Sequence, residues 1–164
     1  MVGELNIFEE DFWAISKTLK RLLDTSNSKC VILMDKAGQV ISSVGDTGWF
    51  DLNTLSTLIA ANMAAFNEIA QSLGEKEFST IQQQGQNINL YVKGIEDKVI
   101  LAVLYDSKVS FNLVKARVKY AAEEISQIMK RIFAKLEGKK KPAEIIDEDF
   151  AKEAEDELDK LFGG

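Results

Sequence analysis

The sequence contains no histidine and only one cysteine, Cys30, among its 164 residues. Histidine is the commonest general base and the commonest metal ligand, so its absence excludes every Ser-His arrangement. A single cysteine without histidine also excludes a Cys/His zinc site and an internal disulfide. Cys30 lies in the apolar run CVILM, where a small buried core residue is expected. The missing disulfide fits a reducing compartment.

Basic residues are outnumbered, since 20 Lys and Arg face 26 Asp and Glu and give a net charge of −6. Without a basic stripe that could neutralise phosphates, binding to nucleic acid or to an anionic membrane is disfavoured. The first residues are acidic rather than typical of a signal peptide, and no apolar run approaches the ~18 residues of a membrane span. These absences predict a soluble, cytoplasmic protein with no membrane insertion.

Motifs for phosphate, dinucleotide and calcium binding are also missing. Residues 137–141, EGKKK, lack the earlier glycine and the Ser or Thr of a phosphate loop, and no G-x-G-x-x-G follows a strand. The stretch DEDFAKEAEDE has Ala151 and Lys152 where an EF-hand needs a ligand and a glycine. The carboxylates lie in the tail and on helix faces, which is typical of solvated surface. We therefore expect binding rather than catalysis, with no metal and no cofactor.

Regular apolar patterns are what the sequence does contain. Helical spacing extends from Phe8 to Leu22, from Asp51 to Leu73 and from Val114 to Leu136. Predicted strands are CVILMD and VISSV around the turn DKAGQ, then EFSTIQQQ, NINLYV and KVILAVLY separated by GQN and GIEDK. This order, α-β-β-α-β-β-β-α with hairpins, indicates an α+β sandwich with a five-stranded antiparallel sheet.

Composition changes at residue 138. Residues 138–164 carry nine acids against five lysines, whereas residues 1–137 carry 17 acids against 15 bases. We predict a domain at 1–137, a polar tether at 138–146 and an acidic amphipathic tail helix at 147–164. The apolar residues of the tail could fold back on the domain or lie in a groove of a partner, and the tether favours the partner. Those residues are Phe150, Leu158, Leu161 and Phe162.

The second predicted helix has two unlike edges, one of large apolar residues and one that is nearly bare. The bare edge contains Ala60, Ala61, Ala64 and Ala65. Alanine favours helix and fits tight places in a core, but a bare edge also permits close helix packing or a flat docking surface. Asn62 lies among the large residues, where a polar side chain often fixes the register of two helices. We expect it to meet its counterpart, or its neighbour, across a dimer axis.

Two apolar pairs are open to two interpretations each. Phe78 and Ile81 belong to a predicted edge strand, so they either pair across a dimer or cover the core of their own chain. Trp49 and Phe50 precede the second helix, where they form either a contact surface or a hydrophobic staple.

Four segments make residues 5–137 resemble the roadblock/dynein-light-chain superfamily: CVILMDKAGQVI, LSTLIAANMAAFNEIAQSLGE, QGQNINLYV and KVILAVLYD. Within it, the second helix and the ending DELDKLF are most similar to bacterial gliding-motility regulators that bind a small Ras-like GTPase. The resemblance implies a homodimer whose antiparallel second helices receive one GTPase and whose third strands pair. It also implies that GTP hydrolysis is promoted by repositioning the GTPase's own residues. The tail helix would contact the GTPase separately and aid nucleotide exchange.

The resemblance also implies which residues make these contacts. Binding of the GTPase is expected at Asn53, Ser56, Thr57, Ala60, Ala61, Ala64 and Asn67, and the dimer interface at Leu55, Leu58, Asn62, Phe66, Phe78 and Ile81. The only arginines, Arg21, Arg117 and Arg131, lie on the first and last helices. The second helix therefore cannot deliver an arginine finger.

A rival interpretation is a ligand-sensing or scaffolding module with the same kind of sheet. Profilin-like, PAS and GAF domains have that layout and a pocket beneath the second helix, and fold alone does not fix function. A surface of small residues without a polar cluster argues against a dedicated ligand site.

Overall fold

The computed structural model describes residues 2–144, 156–158 and 160–162. Its helices are α1, Val2–Ser26; α2, Leu52–Ser72; and α3, Phe111–Glu144. Its strands are β1, Cys30–Asp35; β2, Val40–Gly45; β3, Thr80–Gln84; β4, Ile88–Ile95; and β5, Val99–Asp106. The predicted element order and the α+β fold class are confirmed.

The strands form one five-stranded sheet in the order β2-β1-β5-β4-β3, with every neighbouring pair antiparallel. Strands β1 and β5 lie at the centre and are buried along almost their whole length. Because successive side chains point to opposite faces, such strands need cover on both faces of the sheet. Strands β2 and β3 form the two edges.

Helices α1 and α3 cover one face of the sheet. They run antiparallel, since Arg21 lies 2.8 Å from Glu124 and Lys135 lies 3.0 Å from Asp11. The predicted apolar stripe of α3 is buried throughout, from Val114 to Leu136. On α1 the helical spacing from Phe8 to Leu22 includes Phe12 and so predicts that it is buried. That prediction is wrong, because Phe12 is exposed, whereas the neighbouring Asp11 is buried against Lys135. Asp11 therefore lies on the same inward side of α1 as Ile15, Leu19 and Leu22.

Helix α2 covers the other face and is fixed at its start by the β1–β2 turn. Asp35 Oδ1 accepts hydrogen bonds from the amides of Ala37 and Gln39, each at 2.9 Å. Gly38 in this turn has a φ of +91°, and a Cβ there would lie 2.6 Å from Thr57 Cα. A glycine is therefore needed both for the turn and for the close approach of α2.

Both ends of α2 agree with the prediction of a helix from about Asp51 to Leu73. Asp51 is the N-cap, and its carboxylate accepts a 2.9 Å hydrogen bond from the Thr54 amide. That hydrogen bond lowers the pKa of Asp51. At the C-terminus, Gly74 has a φ of +83° and the Glu75 amide donates to Ala70 O at 2.8 Å. This is a Schellman ending with glycine in the position that favours it.

Two details of the predicted strands need correction. The β4–β5 turn lies at Glu96 and Asp97, which have φ of +55° and +52°, and Gly94 lies inside β4 rather than in the turn. Two residues of positive φ make the turn whose twist matches that of the sheet. Strand β3 begins at Thr80, so Phe78 precedes the strand to which it was assigned.

The end of α3 also differs from the prediction. Residues 138–144, which were expected to form most of a polar tether, continue the helix to Glu144. Three consecutive lysines favour helix, and one preceding glycine does not stop it. The predicted functional division at residue 138 stays a prediction.

Candidate partner-binding surfaces

Helix α2 buries one narrow side against the sheet. Its buried residues are Ser56, Ile59, Ala60, Met63 and Ala70. Ile59, Ala60 and Met63 belong to one apolar cluster with side chains of the central strands, among them Ile32, Ile100 and Ala102. Everything else on α2 faces sideways or outward, so its remaining surface falls into two flanks.

Two residues predicted to bind a GTPase belong to the buried side instead. The Ser56 side chain is 0% exposed, and its hydroxyl donates a 2.6 Å hydrogen bond to Gly38 O. Ala60 is also buried, in the core beneath α2. Both residues are small because the helix comes close to the turn and the sheet at these points. Sequence spacing alone could not separate this cause from a flat docking surface.

The other five predicted residues form one flank, which we call the small-residue flank: Asn53, Thr57, Ala61, Ala64 and Asn67. All but Asn67 are exposed, and Asn67 is half-buried with its Oδ1 atom enclosed and without a hydrogen-bond partner. Thr57 directs its hydroxyl to Asn53 O at 2.8 Å, within the helix. The whole of α2 carries one charged residue, Glu68, so this flank is small, polar and nearly neutral.

The opposite flank is apolar, and we call it the apolar flank: Leu55, Leu58, Asn62, Phe66, Ile69 and Leu73. Leu58 is 61% exposed and Ile69 is 48% exposed, whereas Leu55 and Phe66 are half-buried. Ile69 and Leu73 were not among the predicted interface residues, although their helical spacing from Leu58 indicates the same side. Exposed apolar rows of this kind are typical of contact surfaces.

Asn62 and β3 contact each other within the chain. Asn62 Oδ1 accepts a 2.9 Å hydrogen bond from Gln83 Nε2, which ties the apolar flank to the edge strand. The assignment of Ile81 to a dimer interface needs correction, because Ile81 is buried in the chain's own core beneath α2. The ring of Phe78 lies 6.4 Å from that of Phe66. Strand β3 has no charge and no proline that would block pairing along its free edge.

Trp49 and Phe50 each fit a different one of the two interpretations, a contact surface and a hydrophobic staple. Phe50 is half-buried against the core beneath α2, as a hydrophobic staple would be. Trp49 is exposed, meets Phe50 edge-on at 4.8 Å and donates from Nε1 to Asp46 O at 2.9 Å. An aromatic side chain is thus held in a fixed position beside the start of α2.

The tail contacts its own chain at two of the predicted partner-contact residues. Leu158 and Phe162 are 2% and 4% exposed, within the core that α1 and α3 form on the sheet. Leu161 is exposed, and Phe150 lies outside the described residues. Of the two alternatives for the tail, the structure shows folding back on the domain.

A cleft of about 440 Å³ opens beside the small-residue flank. Its floor includes Met63, Gly94 and Ile100, and charged residues from the neighbouring loops line it: Lys36, Glu68, Lys76, Glu77 and Asp97. Lys36 and Asp97 pair at 2.8 Å. A glycine inside a strand often marks a place where another group approaches closely, and a Cβ on Gly94 would meet only Met63 Cε at 3.4 Å. Sequence reasoning missed this polar lining because it assembles from four separate segments.

The described residues offer little reactive chemistry. Burial, followed by the nearby charge of Asp46, raises the pKa of the Cys30 thiol to about 11, so the thiol is inert near neutral pH. In the described ranges, no three His, Cys, Asp or Glu side chains converge to hold a metal ion. Nor is any helix in them long and apolar enough to cross a membrane.

With α2 on one face of a five-stranded antiparallel sheet and α1 and α3 on the other, the described chain is an α+β sandwich. The Roadblock/LC7 domain family matches residues 14–105, more than half of the chain. The chain therefore belongs to the Roadblock/LC7 domain family.

Among solved structures, the chain is similar to MglB proteins. It is 37% identical to Myxococcus xanthus MglB, covering 73% of this chain and 90% of that chain, with a TM-score of 0.71. It is 27% identical to the gliding protein MglB of Thermus thermophilus, covering 72% and 90%, with a TM-score of 0.67. A structure of MglB with a tetrameric arrangement is 28% identical, covering 72% and 89%, with a TM-score of 0.67. Among curated proteins, none matches the sequence significantly.

The inward orientation of Ser56 can be tested against its neighbour. Ser56→Ala removes a buried donor and leaves Gly38 O unpaired, so it should lower the free energy of unfolding by about 1–3 kcal/mol. Thr57→Ala removes an exposed hydroxyl that bonds only within α2, and it should change stability by less than ~0.5 kcal/mol. Urea unfolding followed by circular dichroism gives both values, and equal effects would contradict the assigned orientation.

Proposed function

We propose that this chain is a cytoplasmic, homodimeric regulator of a small Ras-like GTPase of the gliding-motility type. It promotes GTP hydrolysis, and its tail helix contacts the GTPase separately and aids nucleotide exchange. The observation that carries the proposal is that α2 alone covers one face of the sheet. This nearly neutral helix therefore presents the apolar flank on one side and the small-residue flank on the other. The similarity to MglB proteins supports this assignment, since Myxococcus xanthus MglB is 37% identical.

The apolar flank is the proposed dimer interface. Two such helices packed antiparallel would bury Leu58 and Ile69, which are otherwise exposed. The free edge of β3 lies on the same side, joined to the flank through Asn62 and Gln83. Pairing of two β3 edges would satisfy their backbone groups at the same time. Self-association is further supported by the similarity to an MglB that has a tetrameric arrangement.

The small-residue flank is the proposed GTPase platform. Short side chains let a partner's loops approach the helix backbone. Because the flank is nearly neutral, those loops do not need a particular charge. All three arginines of the sequence lie on α1 and α3, on the opposite face of the sheet, and Arg21 pairs with Glu124 at 2.8 Å. Stimulation of GTP hydrolysis would therefore operate by ordering the GTPase's own water-positioning residue and switch loops, without an arginine finger.

A second candidate function, ligand sensing, is favoured by the cleft beside α2. Its volume of about 440 Å³ is in the range of small-molecule sites, and it combines an apolar floor with charges of both signs. A small zwitterion such as a free amino acid fits that chemistry. The chain would then be a sensor or scaffold on the same fold.

If the apolar flank is the dimer interface, substitutions on it should weaken self-association. The double variant Leu58→Asp/Ile69→Asp should weaken self-association by about 100-fold or more, because two buried apolar side chains are lost. Sedimentation equilibrium measures the dissociation constant. Trp13→Asp, on the outer side of α1, is the matched control for an exposed apolar residue. An unchanged association constant in the double variant would refute this interface.

GTPase regulation predicts opposite results for two sets of variants in single-turnover hydrolysis of GTP. Ala61→Glu and Ala64→Glu place a bulky charge on the small-residue flank and should weaken binding of the GTPase about tenfold or more. Arg117→Ala should leave the stimulated rate unchanged, whereas loss of an arginine finger would lower it by about 10³-fold or more. A large loss with Arg117→Ala would exclude the proposed mechanism. No stimulation by the unaltered chain would exclude activation itself.

If the chain senses an amino acid, at least one of the twenty free amino acids, tested one at a time, should stabilise it thermally. A ligand at tenfold its dissociation constant should raise Tm by about 3 °C or more. Gly94→Val, which projects a side chain into the cleft, should abolish the shift while keeping the fold, since valine suits a strand. If no amino acid shifts Tm, this second function is discarded.

A further inference from the structure

The described end of the tail forms a helical turn with an apolar inner side. The Phe162 amide donates a 3.0 Å hydrogen bond to Leu158 O, so the two residues lie on the same side of the helix. That side is the buried one, whereas Asp156, Glu157, Lys160 and Leu161 are exposed. The described end of the tail is therefore docked by its apolar side.

The surface that receives it combines the C-terminal half of α3 with one residue of the β4–β5 turn, and we call it the tail seat: Lys98, Ile132, Phe133 and Leu136. The Phe162 ring stacks on Phe133 with 6.4 Å between centroids and 23° between planes. Lys98 Nζ lies 5.9 Å from the centroid of the same Phe133 ring. Leu158 and Phe162 join one apolar cluster with Ile132 and Leu136. Apolar burial, ring stacking and a cation–π contact thus converge on Phe133.

The tail seat lies on the face of the sheet that α1 and α3 cover, whereas α2 lies on the other face. A docked tail therefore leaves both flanks of α2 free. Engagement of a partner by α2 and release of the tail are separate events in space. The same Leu158 and Phe162 side chains cannot lie in the tail seat and contact a partner at the same time, because almost none of their surface is exposed when docked.

We propose that the tail seat and the tail form an autoinhibitory latch, in which Leu158 and Phe162 must leave their own chain before the tail can act on a GTPase. The docking itself stands on the contacts above, and its regulatory consequence rests on the proposed function. A tail that is docked for about 90% of the time binds a partner about tenfold more weakly than a free tail. The latch keeps tail activity low until a competing surface with higher affinity is present.

The latch can be tested on the full-length chain with a labelled synthetic peptide of residues 147–164, which competes with the chain's own tail for the tail seat. Fluorescence anisotropy should show that the double variant Leu158→Asp/Phe162→Asp, whose own tail cannot dock, binds the peptide about tenfold or more tightly than the unaltered chain does. Adding Phe133→Ala to the double variant should remove that binding. Adding Tyr120→Ala, an exposed aromatic elsewhere on α3, should not. Equal peptide affinity for the unaltered chain and the double variant, or no binding to the double variant at millimolar peptide, would overturn the latch.

Hydrogen–deuterium exchange distinguishes docking in the same chain from docking on a second copy. Amides in 156–158 and 160–162 should be protected in the unaltered chain and unprotected in Phe133→Ala. In the unaltered chain they should be equally protected after dilution below the dimer dissociation constant. Protection that disappears on dilution would mean that a second copy supplies the tail, and it would refute the latch within one chain.

The regulatory consequence is measured by nucleotide release from the GTPase. Phe133→Ala leaves the tail sequence intact, so it should lower the concentration needed for half-maximal release by about tenfold. An unchanged concentration would refute the regulatory role but not the docking. If no variant binds the GTPase, the proposed function and the regulatory role fail together, and the peptide measurement still decides whether the tail docks.

Discussion

The surface chemistry of this chain depends on how one helix covers one face of a five-stranded sheet. Five strands spaced about 4.8 Å apart span about 19 Å between the outer strands, whereas a helix with its side chains is only about 10 Å wide. Helices α1 and α3 together cover the other face, but α2 lies alone on this one. Sheet surface therefore remains on both sides of α2. On one side it adjoins an apolar flank, and on the other it forms a cleft.

This partial cover explains how a small domain leaves two unlike flanks of one helix available for contacts. The close approach of α2 at Gly38 and Ser56 fixes the helix, so its flanks are rigid surfaces rather than mobile loops. Rigid surfaces bind a partner with little loss of conformational entropy. Under the proposed function, the apolar flank joins two copies of the chain, and the small-residue flank binds a GTPase. The arginines lie on the opposite face, which is consistent with regulation by positioning.

The tail adds a third surface that does not compete with the first two. It docks on the C-terminal half of α3, on the sheet face that α1 and α3 cover, and Phe133 contacts both Phe162 and Lys98 there. In the proposed scheme, α2 determines which partner is bound, and the tail seat determines when the tail is available. Helix α3 extends to Glu144, where the sequence indicated a polar tether.

The sequence by itself determined the element order, the antiparallel sheet, the limits of α2 and the buried stripe of α3, because each depends on local periodicity, capping and turn chemistry. It also determined the absence of an arginine on α2. Only the tertiary structure decided which small residues of α2 are buried, since Ser56 and Ala60 are small owing to contacts with a turn and strands distant in sequence. The same holds for Ile81, for the charged lining of the cleft and for the docked tail. Periodicity identifies a face, but only packing shows what that face contacts.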